Sequence, residues 1–448
     1  MADLLSHVAL QANRYLRGLD GRPVAPSQEA LDHLAVFDEP LAESPAAPEV
    51  VFDLLDRFGS PATMASAGGR FFGFVHGGCL PAALAANWLA GAWDQNAALF
   101  ASSPIASRLE EVAQRWLVEL LDLPAACGTA FVTGDTMANF TCLAAARAAM
   151  LERLGWDVEA DGLFGAPPLT VVIGEETHPS VTKALGLLGL GRRRVIRVPV
   201  DHQGRMRLEA FPALGDASIV CVQAGNVNTG SVDPVGGVCE MARAARAWVH
   251  VDAAFGLWAK AIPSLASLVA GVEQADSWAT DAHKWLNVPY DCGLAFVRES
   301  RFLGRAMTLK AAYIPEGARR DPGQFTPELS RRARGVEIWA ALRSLGKSGL
   351  AAMLERTCAH AHRFADGLRS AGCEILNDVV LNQVLVSFGE AETTLRVIDR
   401  IQREGTCWCG PTTWQGRTAM RISVSSWATT AEDVERSLEA MLGAWREV

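Results

Sequence analysis

One pattern restricts the fold of this chain more than any other. From about residue 62 onward, short β-rich runs at 170–173, 194–198, 218–222 and 247–251 are separated by stretches of helical periodicity. Strands spaced in this way predict an α/β fold with a mostly parallel central sheet covered by helices on both faces. In such open sheets ligands bind at the carboxyl ends of the strands, so polar residues that close a β run are the first place to look for chemistry. After about residue 308 the texture changes to a polar, Pro- and Gly-containing loop over 312–327, then amphipathic helices and a few strands such as 381–388. A Pro-, Ala- and Glu-rich linker at 38–48 sets an N-terminal helical segment apart. The expected division is an N-terminal arm and linker over 1–61, a large domain over 62–308, and a mobile loop with a smaller α+β C-terminal domain over 309–448.

Composition narrows the possible functions. With 448 residues, 50% of them hydrophobic, the chain is long enough to bury a sizeable core. Its net charge of −9 argues against a binder of phosphate backbones, which would need clustered Lys and Arg. The N-terminus lacks a basic region followed by an apolar core and a cleavage site. The apolar stretch 80–92 is interrupted by Pro81 and Asn87, short of the roughly 18 residues of a membrane helix. A soluble, cytoplasmic protein is expected. Its ten cysteines are scattered, which suggests reduced thiols rather than a disulfide framework. Neither Cys407-Trp-Cys409 nor Cys358 with His360 and His362 has a second half at zinc-type spacing, so no metal is expected.

Four segments carry candidate chemistry. Trp248-Val-His-Val-Asp252 ends a buried β run on an acid. A buried carboxylate requires a partner of opposite charge, and a protonated pyridine nitrogen would supply one, although a capping role is the plain alternative. In Ser277-Trp-Ala-Thr-Asp281-Ala-His283-Lys284-Trp285, Lys284 sits among apolar and aromatic residues. Such surroundings would lower its pKa and make it available for imine formation; the alternative is a snorkelling surface lysine. Gly128 to Val132, then Thr133-Gly134-Asp135-Thr136 and a helical run, form a strand, small-residue turn and helix start whose exposed N–H groups suit a phosphate. Asp135 is awkward there: like charges about 6 Å apart repel by roughly 3 kcal/mol at an effective dielectric of about 20, so its side chain should turn away. Finally, His178 follows the run at 170–173, as a flat partner for a ring or as an ordinary hydrogen-bonded histidine.

Together His178, His-Val-Asp252-Ala-Ala-Phe and Asp281-Ala-His283-Lys284-Trp285 resemble the group II pyridoxal-5'-phosphate (PLP) dependent amino-acid decarboxylases, which include the aromatic-L-amino-acid and glutamate decarboxylases. The resemblance runs from the Arg70-Phe-Phe-Gly-Phe stretch through Ser330-Arg-Arg-Ala-Arg-Gly to Trp427. It implies a fold-type I, PLP-dependent transferase-like architecture, and a homodimer with the arm packed across it and the active site at the interface. It also implies that Lys284 is the Schiff-base lysine and Asp252 the partner of the ring nitrogen. Ala254 and His178 would lie on opposite ring faces, and Gly134, Asp135, Thr136 and His283 around the phosphate. Asp281 stands where the aromatic decarboxylases often carry Asn, and Asp135 where a small residue is usual.

Tyr313 falls where these decarboxylases carry a mobile-loop tyrosine that protonates the α-carbon after carbon dioxide leaves, a step that needs a positioned acid. Relatives with Phe there are associated with oxidative aldehyde formation. The expected reaction is α-decarboxylation of an L-amino acid to its amine. Phe71, Phe72, Phe74, Val75, His76 and Phe100 would supply an aromatic and apolar pocket for an aromatic substrate, while Arg70 is the nearest candidate anchor for an acidic one. The alternatives are another PLP reaction on the same scaffold, such as aldehyde synthesis, transamination or aldol cleavage, or a noncatalytic binding protein on the same fold.

Overall fold

The computed structural model describes residues 2–309 and 319–448. Its contacts group the chain into two units, residues 79–359 with 377–383, and residues 1–78 with 360–376 and 384–448. These units do not follow the sequence-based boundaries at 61/62 and 308/309.

The first unit holds a seven-stranded sheet. Its strands are β1 (Gly128–Val132), β2 (Thr170–Gly174), β3 (Val195–Val198), β4 (Ser218–Gln223), β5 (Trp248–Asp252), β6 (Ser277–Asp281) and β7 (Gly293–Val297), in the order β1-β7-β6-β5-β4-β2-β3. β6, β5, β4, β2 and β3 run parallel, and β7 is antiparallel to both β1 and β6. The mostly parallel sheet read from the sequence is present. The antiparallel β7 was not foreseen, because its short return from β6 resembles a loop when only helix-spaced strands are sought.

Val172, Ile173, Ile219, Val220, Val222 and Val251 are fully buried, each stabilising the sheet by about 1.5–3 kcal/mol relative to exposure. The helix Asp135–Arg153 packs on it through Ala138, Ala144, Ala145, Ala146 and Ala149, whose small side chains permit close approach. Parallel pairing aligns the strand ends: Gln223 lies opposite Asp252, and Asp252 opposite Ala279. Gly293 of β7 lies between Val132 and Asp281. The ends of β1, β4, β5 and β6 and the start of β7 thus lie side by side, and Gln223, Asp252 and Asp281 close three of these strands.

The second unit carries β8 (Glu374–Ile375), β9 (Gln383–Ser387), β10 (Gly410–Trp414) and β11 (Arg417–Ser423), in the order β10-β11-β9-β8. Gln415 and Gly416, both at positive φ, close the β10–β11 hairpin, the geometry whose twist matches its strands. The 70–72 segment joins the 1–78 stretch to this sheet: Phe72 N–H donates to Trp408 O at 2.8 Å, and Ser423 N–H to Phe72 O at 2.9 Å. Arg70 is buried; its guanidinium donates to the carbonyls of Thr406, Asp20 and Arg22 and lies 3.6 Å from Asp433. It is tied down within its own unit, which removes it as an anchor for an acidic substrate.

Candidate active site

Each acid at the edge of the seven-stranded sheet is placed by the strand it closes. Asp252 ends β5 and Asp281 ends β6. Asp135 begins the helix Asp135–Arg153, just beyond β1, and His178 caps the helix Pro179–Leu187 with Nδ1 accepting from Ser180 N–H at 3.2 Å. One oxygen or nitrogen from each of Asp135, His178 and Asp252 lies within 4.8 Å of the others. Two carboxylates at that separation repel by about 3 kcal/mol at an effective dielectric of about 20.

Ser180 sits among the three. Its Oγ is 2.8 Å from His178 Nδ1, 3.2 Å from Asp135 Oδ2 and 3.4 Å from Asp252 Oδ2. Burial raises the Asp252 carboxyl above its usual range, against the opposing pull of His178 and Lys284. Asp135 is raised further, by burial first and then by Asp252 and Asp281.

Lys284 lies on the loop between β6 and β7, with Nζ 3.0 Å from Asp281 Oδ2. Buried Trp285 anchors that loop by donating from Nε1 to Thr357 Oγ1 at 2.9 Å. His283 accepts from Cys292 N–H at its Nδ1, and its ring packs on Tyr290 with centroids 4.3 Å apart. Its Nε2 is 3.6 Å from Asp281 Oδ2, and burial lowers its pKa.

The sequence led us to expect a depressed lysine, and the structure reverses that. Burial pulls the Lys284 pKa down, but Asp281, Asp135 and Asp252 outweigh it and hold it above the ordinary value. The reason is tertiary: acids from two strand ends and one helix start face one ammonium.

The other expected residues divide by unit. Gly134 lies against His283, where a Cβ would come within 3.3 Å of the imidazole Cε1. Thr136 follows in the first helical turn, and Ala254 lies two residues after Asp252, its carbonyl accepting from Asp281 N–H at 2.9 Å. Phe100 belongs to the same unit, beneath the Arg319 guanidinium at 4.2 Å. Phe72, Phe74, Val75 and His76 belong to the other unit. Phe72 is buried edge-on against Phe364, with centroids 5.0 Å apart, whereas Phe74 is 59% exposed and packs with Phe71, His76 and Trp408. Tyr313 lies outside the described residues.

Ser180, Asn139 and His250 were missed by sequence reasoning. For two of them the signal was spacing: Asn139 is four residues after Asp135 on one helical face, and His250 is two before Asp252 on one strand face.

A cationic, flat ligand fits this edge. Among the described residues Asp135 Oδ1 and Asp281 Oδ1 are buried without a hydrogen-bond partner, and three acids face the Lys284 ammonium. A pyridinium nitrogen would supply the missing positive charge at Asp252. The Asp135 carboxylate turns toward Asn139 and Ser180, leaving the start of a 19-residue helix at Gly134 to Thr136 for an anion.

Comparison with known proteins agrees. The pyridoxal-dependent decarboxylase conserved domain matches residues 54–389. This chain belongs to that family. Tryptophan decarboxylase 1 of Oryza sativa subsp. japonica is 28% identical, over 92% of this chain and 87% of its own length. L-2,4-diaminobutyrate decarboxylase of Rhizobium meliloti (strain 1021) is also 28% identical, over 82% and 76%. The Oryza sativa TDC solved with PLP and tryptamine superposes with a TM-score of 0.91 at 25% identity, covering 100% of this chain and 97% of that one. Mouse CSAD shares the fold, with a TM-score of 0.88 at 21% identity. The protein is a PLP-dependent amino-acid decarboxylase, a carboxy-lyase. Among the described residues no helix is long and apolar enough to cross a membrane.

Proposed function

We propose that this decarboxylase acts on an aromatic L-amino acid, releasing the aryl-alkyl amine and carbon dioxide, with Lys284, Asp252, His178 and Tyr313 as its acting residues. The observation that carries the residue assignment is the Lys284–Asp281 pair at 3.0 Å, beside the group formed by Asp135, His178 and Asp252. The substrate class is favoured by relatives named for tryptophan, tyrosine and aromatic amino acids.

PLP, when bound, supplies an aldehyde carbon for the substrate amine and a ring that takes up the electron pair left as carbon dioxide departs. Asp252 holds a hydrogen at the ring nitrogen through its carboxylate, in a buried position where charge acts strongly. Lys284 Nζ would hold the cofactor at its aldehyde end and move protons to and from the substrate nitrogen. His178, oriented by Ser180, presents its imidazole face, and the Tyr313 hydroxyl delivers the proton to the α-carbon. The helix start at Gly134 to Thr136, with His283 beside it, binds the phosphate.

The test is to incubate PLP-loaded protein with a mixture of amino acids and identify the products. We expect an aromatic amine equimolar with carbon dioxide, and Tyr313→Phe should divert product toward an aldehyde, with ammonia and hydrogen peroxide released as dioxygen is consumed. A diamine formed from 2,4-diaminobutyrate would overturn the substrate assignment, and aldehyde from the unmodified protein would overturn the role of Tyr313.

A further inference from the structure

β2 and β4 pair from Thr170 opposite Ser218 to Ile173 opposite Cys221. After Gly174 the chain leaves the sheet for residues 175–178 and enters the helix Pro179–Leu187 at His178. β4 continues to Gln223, which lies opposite Asp252 on its other side. The backbone ladder to β2 has ended by then, and a side chain takes over from it: Gln223 Nε2 donates to the Glu176 carbonyl at 3.0 Å.

Groups that cannot reverse their roles fix the direction of this bond. The backbone N–H groups of Asn228 and Thr229 donate to Asn226 Oδ1 at 2.9 and 3.2 Å, so Asn226 turns its amide nitrogen to Gln223 Oε1, at 3.2 Å. Gln223 is left with its NH2 group for the Glu176 carbonyl, which can only accept. The Gln223 backbone is pinned as well: its N–H donates to Asp233 Oδ2 at 2.6 Å, and its carbonyl accepts from Asp233 N–H at 2.9 Å. Gln223 and Asn226 are both buried, so a bond lost here leaves a polar atom unsatisfied away from water.

Two backbone bonds also hold the 175–178 segment. Glu175 N–H donates to Val198 O at 3.0 Å, and Thr177 N–H to Gly174 O at 3.2 Å. Both tie it toward β2 and β3, whereas the Gln223 bond ties it to the strand beside Asp252. We propose that Gln223 is a positioning residue for His178: by holding the Glu176 carbonyl, it sets where the backbone carrying the imidazole stands relative to Asp252, and so the contact of that imidazole with the cofactor ring. This rests on the assignment of His178 to a ring face. Ser180 orients the imidazole through Nδ1 from the helix side, and Gln223 places its backbone from the sheet side.

Gln223→Met, similar in length and volume, removes donor and acceptor together. It should weaken PLP binding about tenfold, the order expected when one bond between buried groups is left unmade. That loss should run through His178. In a His178→Ala background the ring to be placed is gone, so the same substitution should cost less than about twofold. A residue that only stabilises the surrounding unit would cost the same in both backgrounds.

The experiment is a double-mutant cycle on the PLP dissociation constant, measured by equilibrium dialysis for wild type, Gln223→Met, His178→Ala and the double variant. A loss of about tenfold that shrinks below about twofold when His178 is already absent supports the proposal. Equal losses in both backgrounds, or no loss from Gln223→Met, overturn it. Gln223→Asn keeps the amide but shortens its reach by one methylene, and it takes the place of Gln223→Met in the same cycle, with the same criteria, if that variant does not fold. If His178→Ala alone binds PLP as tightly as the wild type, the ring-face assignment of His178 fails, and the proposal falls with it.

Discussion

Lys284 shows how far one side chain depends on neighbours remote in sequence. Its ammonium is the positive charge that offsets Asp281, Asp135 and Asp252 in the absence of cofactor, which is why its pKa stands above the usual value although burial opposes it. Lys284→Ala should abolish amine formation, and steady decarboxylation by that variant would defeat its assignment. It should also destabilise the cofactor-free protein at neutral pH by about 3–5 kcal/mol, the cost of leaving a buried carboxylate without its partner. Urea unfolding of both cofactor-free proteins would check this, and an unchanged midpoint would show that the Lys284–Asp281 pair contributes nothing to stability. The motifs that carry Asp252 and Lys284 were legible in the sequence, because each closes or follows a β run. The pKa of Lys284 was not, since its sign is set by acids that only folding brings near.

The ends of strands and the starts of helices set the geometry at this edge of the sheet. Gly293 lies in register with both Val132 and Asp281, and a Cβ there would come within 2.5 Å of the Gly134 backbone. That close approach lets the turn into the helix Asp135–Arg153 lie flat against β7. Gly293→Ala should push the turn away, destabilising the protein by about 1–3 kcal/mol and weakening PLP binding more than unrelated variants of equal stability do. Denaturant midpoints with cofactor titrations would separate the two effects, and normal affinity in a destabilised variant would show that the turn does not bear on the phosphate. The parallel strands were readable from β-rich runs at helix-length spacing. β7 was not, because an antiparallel return of five residues, GLAFV, has no pattern of its own beyond being apolar.

Across the whole chain, a buried ion cluster and an exposed apolar arm make different demands. Arg331 is fully buried against Glu110 at 2.9 Å and donates to the carbonyls of Ala97 and Phe131. Arg331→Ala should destabilise by about 3–5 kcal/mol, moderated by Arg320 on the same carboxylate; a loss under 1 kcal/mol by calorimetry, the range of exposed pairs, would show that Arg320 suffices. The helices Ala2–Arg17 and Pro48–Leu54 leave Leu5, Leu10, Val50 and Val51 exposed, as the homodimer with a packed arm implied by the sequence resemblance would require. Sedimentation should give twice the 48.0 kDa chain mass, and Leu10→Asp should shift it toward one chain. By itself the sequence determined the α/β class, the strand ends that carry Asp252 and Asp281, the helix start after Gly134 and the motif around Lys284, because periodicity and turn residues act over a few neighbours. Only the tertiary structure decided that Arg70 is bound within its own unit, that Asn139 reaches Asp252 across 113 positions, and that three acids meet one lysine. Charge acts through space rather than along the chain, so its balance exists only once the strands lie side by side.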